Sequence, residues 1–339
     1  MRGCTGKERV MAALNREYAD RVPISLEAER QFAPVLGFTI TELEIDPEKE
    51  LQCLVAAHEA FPSDTVSVPG TPYQHTTVAA RQQVMTPEQG PPRPLLEDKL
   101  ALAKLRVPNP REHRRYAPYL EMCRRVNAMF EDTWVQAKAP APWMTATTLR
   151  GPEELIYDTV DDPQFVHELL RYCTELTTAI CEAIAETGVN IFLAETTASC
   201  SLISPKIYHG FVQRYLEETV NFLKGKGVTV DLHICGYIDP IMEDLAALGV
   251  DIIDLDSPSS LERLVGVSQK KVVIRGNVAT DLFAVGTREQ IEGSVRGCIE
   301  TAAGGSAFIL SPGCAIPDNA QMENIRCFWE AGLKYGRYS

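Results

Sequence analysis

Basic residues are in short supply: 33 Lys plus Arg stand against 46 Asp plus Glu, a formal net charge of -13 over 339 residues. That balance argues against a nucleic-acid surface that tracks phosphates and leaves small molecules and other proteins as partners. Long apolar runs are missing too. None approaches the roughly 20 residues of a membrane helix, so no membrane partner is expected. No stretch is low in complexity. A glycine-rich phosphate turn after an early strand is also absent, because Val68-Pro69-Gly70-Thr71-Pro72 lacks the spacing. This counts against an open, doubly wound nucleotide-binding sheet. The first residues, MRGCTGKERVMAAL, read as a helix rather than a secretory leader. Together with ten cysteines, this points to a reducing, cytoplasmic compartment, where thiols need another explanation than disulfides.

What is present is an ordinary globular balance, 45% hydrophobic and 23% charged. Thr5-Gly6-Lys7-Glu8 is a capping box followed by Val10, Met11 and Leu14 at helical spacing, which predicts a helix over 4–17. Beyond it, short β-branched runs alternate with longer amphipathic stretches. The candidate strands are Val22–Leu26, Thr65–Val68, Trp134–Lys138, Val189–Glu195, Val228–His233, Asp251–Leu255, Val272–Gly276 and Ala307–Leu310. Helix starts are signalled by Asp162-Pro163, Ser204-Pro205, Asp239-Pro240 and the capping box Thr287-Arg288-Glu289-Gln290. Eight strands alternating with helices predict an α/β fold, a (βα)8 TIM barrel, over a single domain 1–339. Residues 1–20 form an N-terminal helical extension in this reading, and 71–94, rich in Pro and Gln, a loop insertion.

In such a barrel, chemistry comes from the C-terminal ends of strands. His233 and Cys235 are two apart at one such end, so their side chains point the same way. Imidazole and thiolate together suit zinc, and Cys314 arrives 79 positions later, at the end of the last strand. Three protein ligands leave an open position, the mark of a catalytic rather than a structural zinc. Glu195 ends a strand that is otherwise apolar. It is a candidate fourth ligand or acid/base group, or else it pairs with a nearby cation. Asp254 and Asp256 share a face, suited either to substrate orientation or to a hydrogen-bonded rim, and Asn277 is a candidate for the same work. Cys53, Cys123, Cys173, Cys181, Cys298 and Cys327 fall in helical patterns and read as small core residues. Trp143, Met144, Tyr73, His75 and Phe32 are candidate pocket residues.

The pattern resembles the uroporphyrinogen decarboxylase superfamily and, within it, the zinc-dependent corrinoid methyltransferases. The resemblance runs along almost the whole chain. It is carried by Lys7-Glu8-Arg9-Val10 to Asp20-Arg21-Val22-Pro23, Pro142-Trp143-Met144-Thr145-Ala146 with Leu149-Arg150-Gly151, and Leu202-Ile203-Ser204-Pro205-Lys206. His233-Ile234-Cys235-Gly236, Arg275-Gly276-Asn277-Val278 and Ser311-Pro312-Gly313-Cys314-Ala315-Ile316-Pro317 complete it. The decarboxylases carry an Arg-Gln-Ala-Gly-Arg segment after the first strand. Here Ser25-Leu26-Glu27-Ala28-Glu29-Arg30-Gln31 lacks it. The methyltransferase branch implies zinc on His233, Cys235 and Cys314, with an acidic oxygen at Glu195. It also implies a cobalamin supplied by a separate corrinoid protein, and methyl transfer to or from a small thiol, methyl ether or related compound. The rival readings are a metal-free decarboxylase of the uroporphyrinogen type and a non-catalytic barrel that docks a corrinoid carrier.

Overall fold

The computed structural model describes residues 3–70, 94–114 and 116–338. Seven parallel strands form one curled sheet in which each strand pairs with the next in the chain. They are β1 (Thr65–Ser67), β2 (Trp134–Pro140), β3 (Asn190–Ala194), β4 (Val230–Ile234), β5 (Ile252–Leu255), β6 (Val273–Val278) and β7 (Phe308–Pro312). Helices lie between successive strands, as parallel pairing requires. The longest, Pro163–Ala185, is capped by Asp162, whose carboxylate accepts the Phe165 amide at 3.3 Å.

The sheet has seven strands where the sequence predicts eight. Val22–Leu26 lies between the two edges, but its strand pairing is a single parallel bridge from Ile24 to Leu310. Pro23 has no N–H to give a ladder. The Ile24 amide donates instead to the Asp64 carboxylate at 2.7 Å. The backbone–backbone bonds of this segment run to three places: Leu310 N to Pro23 O at 2.9 Å and Ser25 N to Leu310 O at 2.8 Å, Asp64 N to Ile24 O at 2.8 Å, and Val22 N to Gly336 O at 2.8 Å. Asp64 also takes Arg9 at 3.0 Å and Arg21 at 2.5 Å, so one buried carboxylate ties the segment to the N-terminal helix.

That helix, Gly6–Asn15, carries the predicted capping box, with Thr5 and Glu8 satisfying each other's amides. Its Val10 and Ala13 cover the N-terminal end of the sheet, packing on Trp134, Ile252, Val273 and Ile309. Thr287 likewise caps Arg288–Ala302 with Gln290. Asp239 differs from expectation. It lies inside a short 3-10 turn, Asp239–Ile241, and its carboxylate accepts the Ser260 amide at 3.0 Å, which ties two rim loops together. The six cysteines read as core residues are buried. The predicted insertion at 71–94, with Tyr73 and His75, lies outside the described residues save for Pro94. Among the described residues, no helix is long and apolar enough to cross a membrane.

Candidate metal centre

Strand β4 turns its odd-numbered residues toward the inside of the curled sheet. Asp231 and His233 are 2% and 4% exposed, and Cys235 stands at the mouth just past the strand. Cys314 follows β7 by two residues and reaches the same point. The His233 Nε2 to Cys235 Sγ distance is 3.2 Å, Cys235 Sγ to Cys314 Sγ 3.7 Å, and Cys314 Sγ to His233 Nε2 3.6 Å. Among the described residues, these three are the group of His, Cys, Asp or Glu side chains close enough to share one ion.

The donor set and its spacing fit zinc. Zinc–sulfur bonds of about 2.3 Å and zinc–nitrogen bonds of about 2.0–2.1 Å set tetrahedral sulfurs roughly 3.8 Å apart, and sulfur and nitrogen roughly 3.6 Å apart. Two of the three edges agree and the third is shorter. The other ring nitrogen, Nδ1, lies 3.2 Å from Asp254 Oδ2 and 3.2 Å from the Asp254 carbonyl oxygen. A carboxylate and a carbonyl here favour a proton on Nδ1 and leave Nε2 facing the thiols.

The protons at this triangle are unevenly held. Burial pulls the His233 imidazole toward neutrality, yet the Asp254 charge and the thiols raise its pKa well above the ordinary histidine value. The hydrogen bond from Cys235 draws Cys314 down to about 5, against burial and with help from His233. The same bond, together with burial, pushes Cys235 up.

Beneath the triangle lies a charged layer. Arg275 Nη1 meets Asp231 Oδ2 at 2.9 Å and Gln136 Oε1 at 3.2 Å, and Arg275 Nη2 lies 3.5 Å from Glu27 Oε1. Arg275 Nε is 3.8 Å from Asp254. Glu27 in turn takes Lys138 at 2.6 Å and the Ser67 hydroxyl at 2.5 Å. Burial would raise Glu27, but Lys138 and Arg275 hold it down at about 2. Asp231 goes the other way, pushed up to about 7 by burial against the pull of Arg275. Phe192 is the shared wall: its ring stacks 5.9 Å from His233, with Arg275 at 5.3 Å and Lys138 at 5.8 Å.

The structure separates the remaining candidates from the triangle. Glu195 is fully buried, and its two oxygens accept the backbone amides of Trp143 at 3.1 Å and Met144 at 2.6 Å. It therefore anchors the N-terminus of helix Pro142–Arg150, where the amides are free and the helix dipole favours negative charge. Burial still pushes its carboxyl up to about 8 against those two donors. Asn277 donates its side-chain amide to the carbonyls of Ser259 at 3.1 Å and Asp256 at 3.4 Å. Trp143 is 1% exposed and donates to the Thr197 carbonyl at 3.2 Å. Phe32 packs edge-on against Phe61. Lys138, Glu27 and Phe192 were not among the sequence candidates. Lys138 ends its predicted strand and Glu27 follows another, so the strand-end rule applied to the first half of the chain finds both.

A family model described as uroporphyrinogen decarboxylase matches residues 5–335. A methylcobamide:CoM methyltransferase of Methanosarcina mazei is 27% identical over 174 residues, 50% of this chain and 49% of that protein. A methylated-thiol–coenzyme M methyltransferase of the same organism is 27% identical over 192 residues, 56% of this chain and 50% of its own. The chain thus spans about half the length of the curated relatives it matches. Over its full extent, a solved methyltransferase from Methanosarcina mazei shares the fold, with a TM-score of 0.85 at 22% identity, covering 98% of this chain and 99% of that one.

Proposed function

The chain belongs to the uroporphyrinogen decarboxylase family, and from that premise we propose that it is a zinc-dependent methyltransferase. In this reading it moves a methyl group between a small methylated compound or thiol and the cobalamin of a separate corrinoid protein. The observation that carries the proposal is the triangle of His233, Cys235 and Cys314, whose edges suit one zinc ion. The matched methylcobamide:CoM methyltransferase supports the corrinoid side. Zinc held there would supply Lewis acidity toward a sulfur or oxygen of the small substrate.

The chain's own groups prepare that role. Asp254 fixes the ring of His233, whose Nε2 faces both thiols at 3.2 and 3.6 Å, so the three donors already converge on one point. Phe192 supplies an apolar wall, and the Lys138–Glu27 pair a polar one. Asp254 belongs to the site as the partner of a ligand. For Glu195 and Asn277 the proposal keeps a place at the mouth, through the helix start and rim loop they hold. Residues 22–26 are taken as the eighth strand position of a (βα)8 barrel forming one domain, with 1–20 as its helical extension and 71–94 as its insertion. Ten free thiols suit the cytoplasm.

A decarboxylase acting on a tetrapyrrole is electrostatically disfavoured. Its substrate carries several carboxylates, whereas Glu27 and Glu29 occupy the segment where the decarboxylases place arginines. Elemental analysis of purified protein tests the proposal, with about one zinc per chain expected in the wild type and none after Cys235→Ala and Cys314→Ala together. A metal-free, fully folded wild type overturns it. Cobalamin absorbance, followed against thiols, methyl ethers, methylamines and methanol, then reads substrate and direction together.

A further inference from the structure

The two thiols come from loops that are neighbours in space but far apart in the chain, and something must fix their separation. Cys235 is followed by Gly236, whose amide donates to Asp256 Oδ2 at 2.7 Å. The Gly236 carbonyl accepts from the Ser259 hydroxyl at 2.9 Å, and that hydroxyl oxygen accepts the Ile238 amide at 2.9 Å. Cys314 is preceded by Gly313, which lies flat against the same stretch. A Cβ at Gly313 would sit 2.6 Å from the Ser257 nitrogen and 3.2 Å from Asp256 Oδ1. Asp256 Oδ1 in turn accepts the Ser257 amide at 2.7 Å, and Asn277 holds the carbonyls of Asp256 and Ser259 from below. Gly236 has φ +80° and has Ser201 against it, so its turn has little room to shift.

We propose that Asp256 is the positioning residue of the metal centre, setting the distance between Cys235 and Cys314 without touching the ion. One carboxylate oxygen fastens the turn that carries the first thiol, and the other fastens the chain against which the second thiol's turn packs. Both oxygens face N–H donors, so a carboxylate serves both and a carboxamide serves only one. Partners one step removed from the metal orient its ligands, and their loss typically weakens metal binding by about 10–100-fold.

The proposal rests on the ligand set proposed above, and its test separates the two. Asp256→Asn and Gly313→Ala disturb the clamp from opposite sides, and thermal melting of the metal-free proteins reports whether each folds. Phenylarsine oxide, which bridges two close thiols, is titrated into metal-free protein, with Cys314→Ser as the control that lacks the pair. Zinc affinity is measured by competition with a chromophoric chelator, and cobalt-substituted protein is read by its thiolate-to-metal absorption. The expected result is tight 1:1 arsenical binding in the wild type and, in both variants, binding of arsenical and zinc weakened at least tenfold with an altered cobalt spectrum. Folded variants that match the wild type in all three readouts overturn the proposal. A wild type that binds the arsenical but no zinc overturns the metal reading and leaves the clamp standing.

Discussion

The floor and the mouth of the sheet are built from the same strands with opposite chemistry. At the floor the inward residues are Trp134, Ile252, Val273 and Ile309, packed under Val10 and Ala13. Two or four residues further along those strands the inward positions are Gln136 and Lys138, Asp254, Arg275 and Asn277, and Ser311. Side chains two apart share a face, so each strand is a short gradient from oil to charge. The floor excludes water and stabilises. The mouth gives up apolar burial to hold paired charges whose net contribution to stability is small. Stability and chemistry are thus separated by about 7 Å of strand, at 3.3 Å per residue.

Breaking the mouth alone has the largest expected effect. Cys235→Ala or Cys314→Ala takes the zinc content from about one per chain to none and methyl transfer to background, while the melting midpoint of metal-free protein moves by no more than a few degrees. Elemental analysis, cobalamin absorbance and calorimetry check the three parts. Breaking the floor reverses the pattern: Trp134→Ala costs about 3–5 kcal/mol in urea unfolding and leaves metal stoichiometry intact. Arg275→Met sits between the two ends. It strands Asp231 and Asp254 without their shared cation, while Glu27 keeps Lys138, and costs about 3 kcal/mol. The cost stays at the low end of such losses because Asp231, already pushed up to about 7, can take a proton instead.

Glu195→Gln sharpens the boundary. Above about pH 8, where the Glu195 carboxyl is ionised, a carboxamide can accept only one of the two amides, so about 1–2 kcal/mol is lost there, yet zinc is retained at one per chain. Loss of the metal in this variant would restore Glu195 as a ligand. The smallest effect concerns Glu50, outside both ends, which burial and Glu29 push up to about 7. Between about pH 4.5 and 7 the folded protein keeps a proton that the unfolded chain has shed, so stability falls as pH rises through that window. Glu50→Gln removes a slope of at most about 1.4 kcal/mol per pH unit, about 1 kcal/mol between pH 6 and 7, measured by urea unfolding at those two values.

Seven of the eight predicted strands were legible from β-branched runs, and the His-x-Cys pair from its spacing at a strand end. The exception, Val22–Leu26, failed because strand propensity says nothing of which acceptor takes an amide; Pro23 has none to give and Ile24 gives its own to Asp64. Glu195 stood out in the sequence as a carboxylate that would be costly if buried unpaired, and it is buried. Its partners are main-chain amides of a distant helix, a kind of partner that residue type does not reveal. The charged layer under the His233–Cys235–Cys314 triangle was partly hidden for a related reason. Arg275, Asp231 and Glu27 satisfy one another across three separate segments, and only the closing of the sheet brings them together.

The bridge between Ile24 and Leu310 has a consequence for the order of assembly. Every other pair of strands in the sheet is consecutive, so pairing can spread from β1 to β7 by closing one crossover at a time. The bridge joins positions almost a full chain apart, as does the one between Arg21 and Arg337, so both carry a high loop-closure cost. During synthesis residues 22–26 emerge long before their partner on β7 exists. Until that partner arrives their anchors lie on residues 63–65, where the Asp64 carboxylate takes the Ile24 amide and the Ser63 hydroxyl takes the Leu26 amide, so this short stretch is the latch that waits for the last strand.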